Sequence, residues 1–323
     1  MPSVSDPCPL TGLAIGDALG MPFETHAFGS EALQKWDGSF LPGAGLNALQ
    51  PERQAGEWTD DTKMALALAQ TLVEVRTYDP VVAAEKYMIW YLSGDHRGMG
   101  KATKEAMDRA LLGHHWNQSG VLHAQGNGTA MRVAPLGFYF RRSLTTVADM
   151  ARIDARITHR DIEAEEGSVA VALAVAILSE KIAPKDRLLT PILELIRSDP
   201  QSSTVTLLET KLLDLQKYLE TSADTAGTLK RLLESGTKAH VVETVPAAFL
   251  CFLRTASFKD AVELAVRAGG DSDTTAAITG ALAGAYYGTE QVQPYLEQLE
   301  EAEYLQHLDH VMYMGAPTFP EDV

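Results

Sequence analysis

Apolar and small residues recur at three- and four-residue spacing through most of the chain, and strictly alternating stretches are scarce. That pattern predicts helices rather than strands. Leu10 to Gly20 is a run of small residues, read as a helix packed tightly on another helix, with Asp17 a polar residue inside it. Met21 to His26 leaves that helix at Pro22. Phe28 to Glu57 is rich in Gly, Pro and Ser, a loop long enough to suggest a function. It delivers the chain to Thr59, the expected N-cap of a helix made apolar on most sides by Met64, Leu66, Leu68, Leu72 and Val75.

Farther along, Pro80 to Leu92 reads as a helix, and a Gly-rich turn at Arg97–Thr103 opens another that runs to about Leu112. Leu144 to Thr158 is amphipathic, whereas Val169 to Leu178 is uniformly apolar, as befits a central helix. Pro184 to Gly236 suggests three or four exposed helices without chemistry of their own. Val241–Leu253 and Phe258–Ala268 return to a buried pattern, followed by amphipathic helices over Pro294–Glu303 and Tyr304–Met312. The expected fold is all-α, a compact multi-helix single domain over residues 1–323.

Two of the apolar helices begin in acid. Gly269-Gly270-Asp271-Ser272-Asp273-Thr274-Thr275 precedes the small-residue stretch Ala276 to Tyr286. Gly56-Glu57-Trp58-Thr59-Asp60-Asp61-Thr62 precedes Lys63 to Ala69. Either one alone is explained by capping and the helix dipole. Together they carry more acid than caps need, ahead of helices too apolar for the surface. Buried carboxylates repel one another unless protonated or joined by a cation, so the pair points to a hard oxygen site for Mg²⁺ or Mn²⁺.

Other candidates are weaker on pattern alone. Glu24 reads as a solvated loop acid. Gly126-Asn127-Gly128 ahead of Thr129 reads more readily as a tight turn than as an anion cradle, although a helix opening at Thr129 would favour the cradle. It is neither a dinucleotide fingerprint nor a P-loop. His159 sits just before the central helix, where a structural role and a ligand contact are both open. The triplet His159-Arg160-Asp161 resembles a protein-kinase catalytic loop, but the expected Asn and an Asp-Phe-Gly are absent. The adjacent His114 and His115 are poorly placed to chelate one ion.

Composition narrows the class. The chain has 323 residues, 46% of them hydrophobic, and a formal charge of −16, which disfavours non-specific binding to nucleic acid or acidic membranes. Cys8 and Cys251 offer neither a disulfide framework nor a thiolate metal cage, in keeping with a reducing compartment. No basic-then-apolar leader is visible at the N-terminus, and the longest apolar run is far short of about 20 residues. A cytoplasmic location is expected.

Taken in order, these motifs resemble the ADP-ribosylglycohydrolase family. The matching pieces are Gly16–Gly20 with Glu24, Trp58–Thr62, Gly126–Arg132, Thr158-His159 and Gly269–Thr274. The resemblance implies the family's compact helical fold and a pair of Mg²⁺ or Mn²⁺ ions held by Thr59, Asp60, Asp61, Asp271, Asp273 and Thr274. It implies ADP-ribose contacts at Gly126, Asn127, Gly128, Thr129, Met131 and His159, with catalysis resting on Glu24, Asp60 and Asp273. Arg132 is expected to help offset the acidic field around a bound diphosphate. The expected reaction is hydrolysis of the N-glycosidic bond between ADP-ribose and a protein arginine, releasing ADP-ribose. Other linkages (serine, an O-acetyl group, a nucleotide) and a non-catalytic ADP-ribose-binding role are the alternatives.

Overall fold

The computed structural model describes residues 5–44, 52–197, 205–221, 227, 231, 232 and 237–319. It is an all-α molecule whose described strands form one two-residue parallel ladder, Val121–Leu122 beside His159–Arg160. At its centre the Pro9–Gly20 helix, buried along its whole length, lies against the Ser272–Tyr287 helix. Small side chains make this possible. A Cβ on Gly16 would stand 2.0 Å from the Ala276 carbonyl oxygen, and one on Gly12 would stand 2.3 Å from that of Gly280. The facing pairs Gly12–Gly280, Gly16–Ala276 and Gly20–Ser272 run in opposite directions, so the helices are antiparallel. The exit of the first helix is thereby fixed beside the entrance of the second, which brings Glu24 close to Asp271.

The uniformly apolar segment forms the Ile162–Ser179 helix, buried at every position from Glu163 to Ser179. It belongs to a core that extends from Cys8 to Met312. No helix among the described residues is long and apolar enough to cross a membrane.

Several helices here are capped by carboxylates from distant parts of the chain. A helix N-terminus leaves its first N–H groups without acceptors. For the Pro9–Gly20 helix, Asp309 of the Ala302–Met314 helix accepts from Leu10 N at 3.0 Å, Thr11 N at 2.9 Å and Thr11 Oγ1 at 2.7 Å. For the Leu207–Thr221 helix, Glu163 accepts from Leu207 N and Leu208 N, each at 2.8 Å. Asp17 serves the Asp60–Val75 helix in the same way.

Full burial raises the Asp309 carboxyl to about 7, against the opposing pull of its hydrogen bonds from Thr11 and Leu10. Folded protein therefore binds this proton more tightly than unfolded chain does. The associated stability is full at low pH and is lost as pH rises through about 7. The stability of the wild type relative to Asp309→Asn should fall by roughly 3–4 kcal/mol between pH 4 and pH 7.5. Urea unfolding of both proteins across that range checks this; a pH-independent difference would refute it.

Three expectations about elements change. Pro294–Glu303 is not a helix: a 3₁₀ turn covers Gln293–Tyr295, and Glu301 adopts φ +53° just before the Ala302–Met314 helix, which breaks helical continuity. The loop after Phe28 contains a short helix, Glu31–Lys35, pinned by buried Leu33 and Trp36. Between Pro184 and Gly236 the Leu189–Arg197 and Leu207–Thr221 helices each bury an apolar face, so they are core elements on one side. The expected helix near Leu229–Leu233 falls mostly outside the described residues.

Candidate active site

Helix geometry collects the acids. Thr59 stands at the N-cap of the Asp60–Val75 helix as expected, but its hydroxyl does not cap that helix. Asp17 does so from the neighbouring helix, accepting from Thr59 N at 3.0 Å and Thr62 N at 3.0 Å, and from the hydroxyls of Thr59 at 2.8 Å and Thr62 at 2.6 Å. The helix start at Asp60 is thus held beside the helix start at Ser272. Glu24, Asp60, Asp61, Asp271, Asp273 and Thr274 line one cavity of about 450 Å³.

The electrostatics are those of crowded buried anions. Burial first, then the charges of Asp17, Glu24 and Asp271, raise the Asp60 carboxyl well above the usual carboxylate range. Burial followed by Asp17, Asp60 and Asp271 does the same to Asp61. Burial followed by Asp271, Glu24 and Asp61 raises Asp273. Asp271 is also raised by burial, opposed by hydrogen bonds from Asp273, Asn127 and Thr274. Among the described residues, Asp61 Oδ1 and Asp273 Oδ1 are buried with no hydrogen-bond partner. Buried carboxylate oxygens without donors are costly, and a hard divalent cation is the partner their chemistry suits. Among the described residues no three of the His, Cys, Asp and Glu side chains form a ready-made cation cage. The fit therefore rests on the two orphaned oxygens and on the oxygen-only donor set.

The same cavity is also lined by Gly126, Asn127, Gly128, Met131 and His159. Arg132 Nη1 donates to Thr158 Oγ1 at 2.7 Å, and that hydroxyl shares a hydrogen bond with His159 Nδ1, 2.8 Å away. Burial, aided by the Arg132 charge, lowers His159 to about 3, so the ring is a neutral donor. Its Nε2 would lie 3.2 Å from a Cβ on Gly126, and its Cε1 3.0 Å from one on Gly128. These glycines leave room for the imidazole; neither has positive φ.

Two expected contacts are displaced. Thr129 is fully buried outside the cavity, its hydroxyl donating to the Ala164 carbonyl at 2.8 Å. The segment Asn127–Thr129 is a 3₁₀ turn, so no helix opens at Thr129. Arg132 is also fully buried, donating to Asp154 at 2.7 Å and lying over the Tyr87 ring, and so cannot meet a diphosphate. Asn127 does reach the cavity, but its amide donates to Thr244 Oγ1 at 3.0 Å and to Asp271 Oδ2, which makes it a brace for Asp271.

Sequence reasoning missed Lys101. It opens the Lys101–Leu111 helix, which has no side-chain cap, and it lines the same cavity as the acids. A lysine at this end of a helix opposes the dipole; that mismatch, after Gly98-Met99-Gly100, was the available signal. Asp17 was noted only as a polar residue in a packed helix, and its capping role was not foreseen.

The cavity thus combines carboxylates fit for cations with glycines, a neutral imidazole, a lysine and a helix N-terminus fit for an anion. A profile described as ADP-ribosylglycohydrolase matches residues 9–317. An uncharacterized protein of Archaeoglobus fulgidus is 33% identical over 94% of both chains. The ADP-ribosylarginine hydrolase Tri1 of Pseudomonas putida is 30% identical over 97% of this chain and 78% of its own. The ADP-ribosylhydrolase ARH3 of Mus musculus is 28% identical over 94% of this chain and 90% of its own. A solved ADP-ribosylglycohydrolase-related protein complex superposes with a TM-score of 0.74 at 28% identity, covering 96% of this chain and 97% of that one.

Proposed function

Because the chain belongs to the ADP-ribosylglycohydrolase family, we propose that it removes ADP-ribose from modified protein, acting on the N-glycosidic bond to arginine, with two Mg²⁺ or Mn²⁺ ions. The observation that carries this reading is that one cavity holds both the orphaned Asp61 and Asp273 oxygens and the neutral His159. ADP-ribose has the matching parts: a diphosphate in the middle and a hydroxyl-rich ribose at the reacting end.

Thr59, Asp60, Asp61, Asp271, Asp273 and Thr274 would hold the ions, which supply Lewis acidity and positive charge at the ribose end. The protein's own residues do the rest. His159 and the backbone at Gly126–Gly128 receive the diphosphate, with Lys101 supplying a formal positive charge. Breaking the bond builds positive charge on the distal ribose, which Glu24, a cavity carboxylate not engaged by the ions, favours. Glu24, half-buried at the cavity wall, takes the proton from the attacking water, with Asp60 the other carboxylate in reach of that role.

A second reading, hydrolysis of another ADP-ribose linkage, has one observation in its favour. A relative named for ADP-ribosylarginine and one named only as an ADP-ribosylhydrolase match nearly the whole chain at 30% and 28% identity. Release of ADP-ribose from arginine-modified and serine-modified peptides, with Mg²⁺, with Mn²⁺ and with chelator, separates these readings. Cation-dependent release from the arginine peptide alone is the expected result. Undiminished release in chelator would remove the ions from the proposal.

A further inference from the structure

Two further cavities share Glu24 with the one just described. The smaller, about 100 Å³, is lined by Arg53 and Arg97, which disfavour a cationic occupant. The larger, about 540 Å³, meets the first cavity at Glu24, Ala239 and Asp271. Its walls include Ala27, Phe28, Leu232 and Ala268, so much of its lining is apolar. Where the first cavity passes into the larger one, the shared residues include two carboxylates.

Close backbone packing builds these walls. Thr25 N donates to the Gly270 carbonyl at 2.7 Å, Gly270 N to the His26 carbonyl at 2.8 Å, and Asp271 N to the Thr237 carbonyl at 2.7 Å. Those bonds lace together the three segments that carry most of the lining. Glycine makes the lacing possible. Gly269 and Gly270 take left-handed φ values of +68° and +73°, and a Cβ on Gly270 would stand 2.3 Å from the Thr237 carbonyl oxygen. The Gly pair that leads into the Ser272–Tyr287 helix therefore also shapes the larger cavity. Within it Leu232 and Ala268 are buried, whereas Phe28 keeps 36% of its surface exposed.

We infer that the larger cavity is the subsite for the modified arginine side chain, and that its apolar walls set the preference for that linkage by covering the methylene stem. This rests on the hydrolase reading above, in which the distal ribose lies at the carboxylates. An arginine joined to that ribose has two chemically different parts. The guanidinium is cationic and adjoins the ribose. A stem of methylenes then separates it from the peptide backbone.

The cavity matches that order. Carboxylates line the passage, where a cation is favoured. Phe28, Leu232 and Ala268 line the space it leads to, where methylenes are favoured. Lys238 is the one lysine or arginine among the described lining residues, and it is exposed, so solvent screens it. A serine joined to the same ribose carries no charge and a shorter stem. It would leave the apolar walls uncovered and bring the peptide backbone into the passage.

Two substrates isolate the stem. One is ADP-ribose joined to propylguanidine, which keeps the arginine stem without a peptide; the other is ADP-ribose joined to guanidine itself. Wild-type protein should favour the first by about tenfold or more in kcat/KM. Phe28→Ser should cut that preference to about twofold, and Ala27→Trp, which fills the cavity from an exposed position, should reverse it. The guanidine substrate, measured on the same preparations, reports whether each variant is folded. A wild type that treats the two substrates alike, or a preference that neither variant changes, overturns the inference and leaves the hydrolase reading standing. Cleavage of a serine-linked peptide with neither guanidine substrate cleaved would bring down the arginine reading and the inference with it. No cleavage of any of these substrates would bring down the hydrolase reading itself.

Discussion

Asp61→Asn will lose hydrolysis yet melt at a higher temperature than wild type when cations are absent. In the cation-free protein Asp61 is a fully buried carboxyl with one oxygen unpartnered and with Asp17, Asp60 and Asp271 around it. Each neighbour disfavours its charge, and desolvation disfavours it further. The amide keeps the shape and an acceptor for Thr59, which lies 3.3 Å from Asp61 Oδ2, and removes the charge. Relieving about 1 kcal/mol of such repulsion would raise Tm by roughly 2 °C in a chain of this size.

Activity moves the other way. An electrostatic group acting on the reacting centre is worth about 10²- to 10³-fold in rate, so a loss of that order or more is expected in ADP-ribose release. Added Mn²⁺ at about 100 times its dissociation constant should stabilise the wild type by about 2.7 kcal/mol and the variant by much less. Scanning calorimetry in chelator and in Mn²⁺ reads both effects. A variant less stable than wild type in chelator would show that the acids are not strained against one another, and the argument for a cation would lose its main support.

Asp17→Ala should be the most destabilising change near the site. Asp17 is fully buried and accepts from two backbone amides and two hydroxyls, at 2.6 to 3.0 Å. Truncation leaves Thr59 N and Thr62 N without acceptors at the start of a buried helix. Each unsatisfied buried donor costs about 1–3 kcal/mol, and the Thr59 hydroxyl can recover part of its loss by turning to Asp61. A destabilisation of about 3–5 kcal/mol is expected, read from urea unfolding with m unchanged. Asp60 and Asp61 occupy the turn that Asp17 anchors, so ADP-ribose release should fall as well, even where the variant is fully folded. A change below about 1 kcal/mol would mean that water replaces the carboxylate, contrary to the sealed packing around it.

How much of this was legible in the sequence depended on distance along the chain. The Leu10–Gly20 segment and the helices entered at Asp60 and Asp271 were readable because spacing and small residues are local signals. Contacts across long separations were not. Nothing near Thr59 announces that its cap is Asp17, and nothing near Leu10 points to Asp309. Arg132 illustrates the same limit. Beside a Gly-Asn-Gly turn it reads as an anion contact, whereas its partner is Asp154, a charged residue on the buried face of the Leu144–Thr158 helix with Val147 and Ala151. An acid at a core position of an amphipathic helix was the clue to a buried ion pair. Thr129 followed the same logic, since an expected helix start proved to be a 3₁₀ turn whose hydroxyl serves the central helix.

The antiparallel pairing of the first helix with Ser272–Tyr287, closed by the cap from Asp309, also bears on how the molecule comes to exist during synthesis. A ribosome releases Pro9–Gly20 long before it has made either the helix that buries it or the carboxylate that caps it. Until then the segment has no stable place, and the sites at Asp60 and Asp271 stay apart. Contacts between the two extremes of a chain are closed at high entropic cost and late. Folding is accordingly expected to be post-translational and all-or-none, with a nascent chain halted short of Asp309 remaining sensitive to protease.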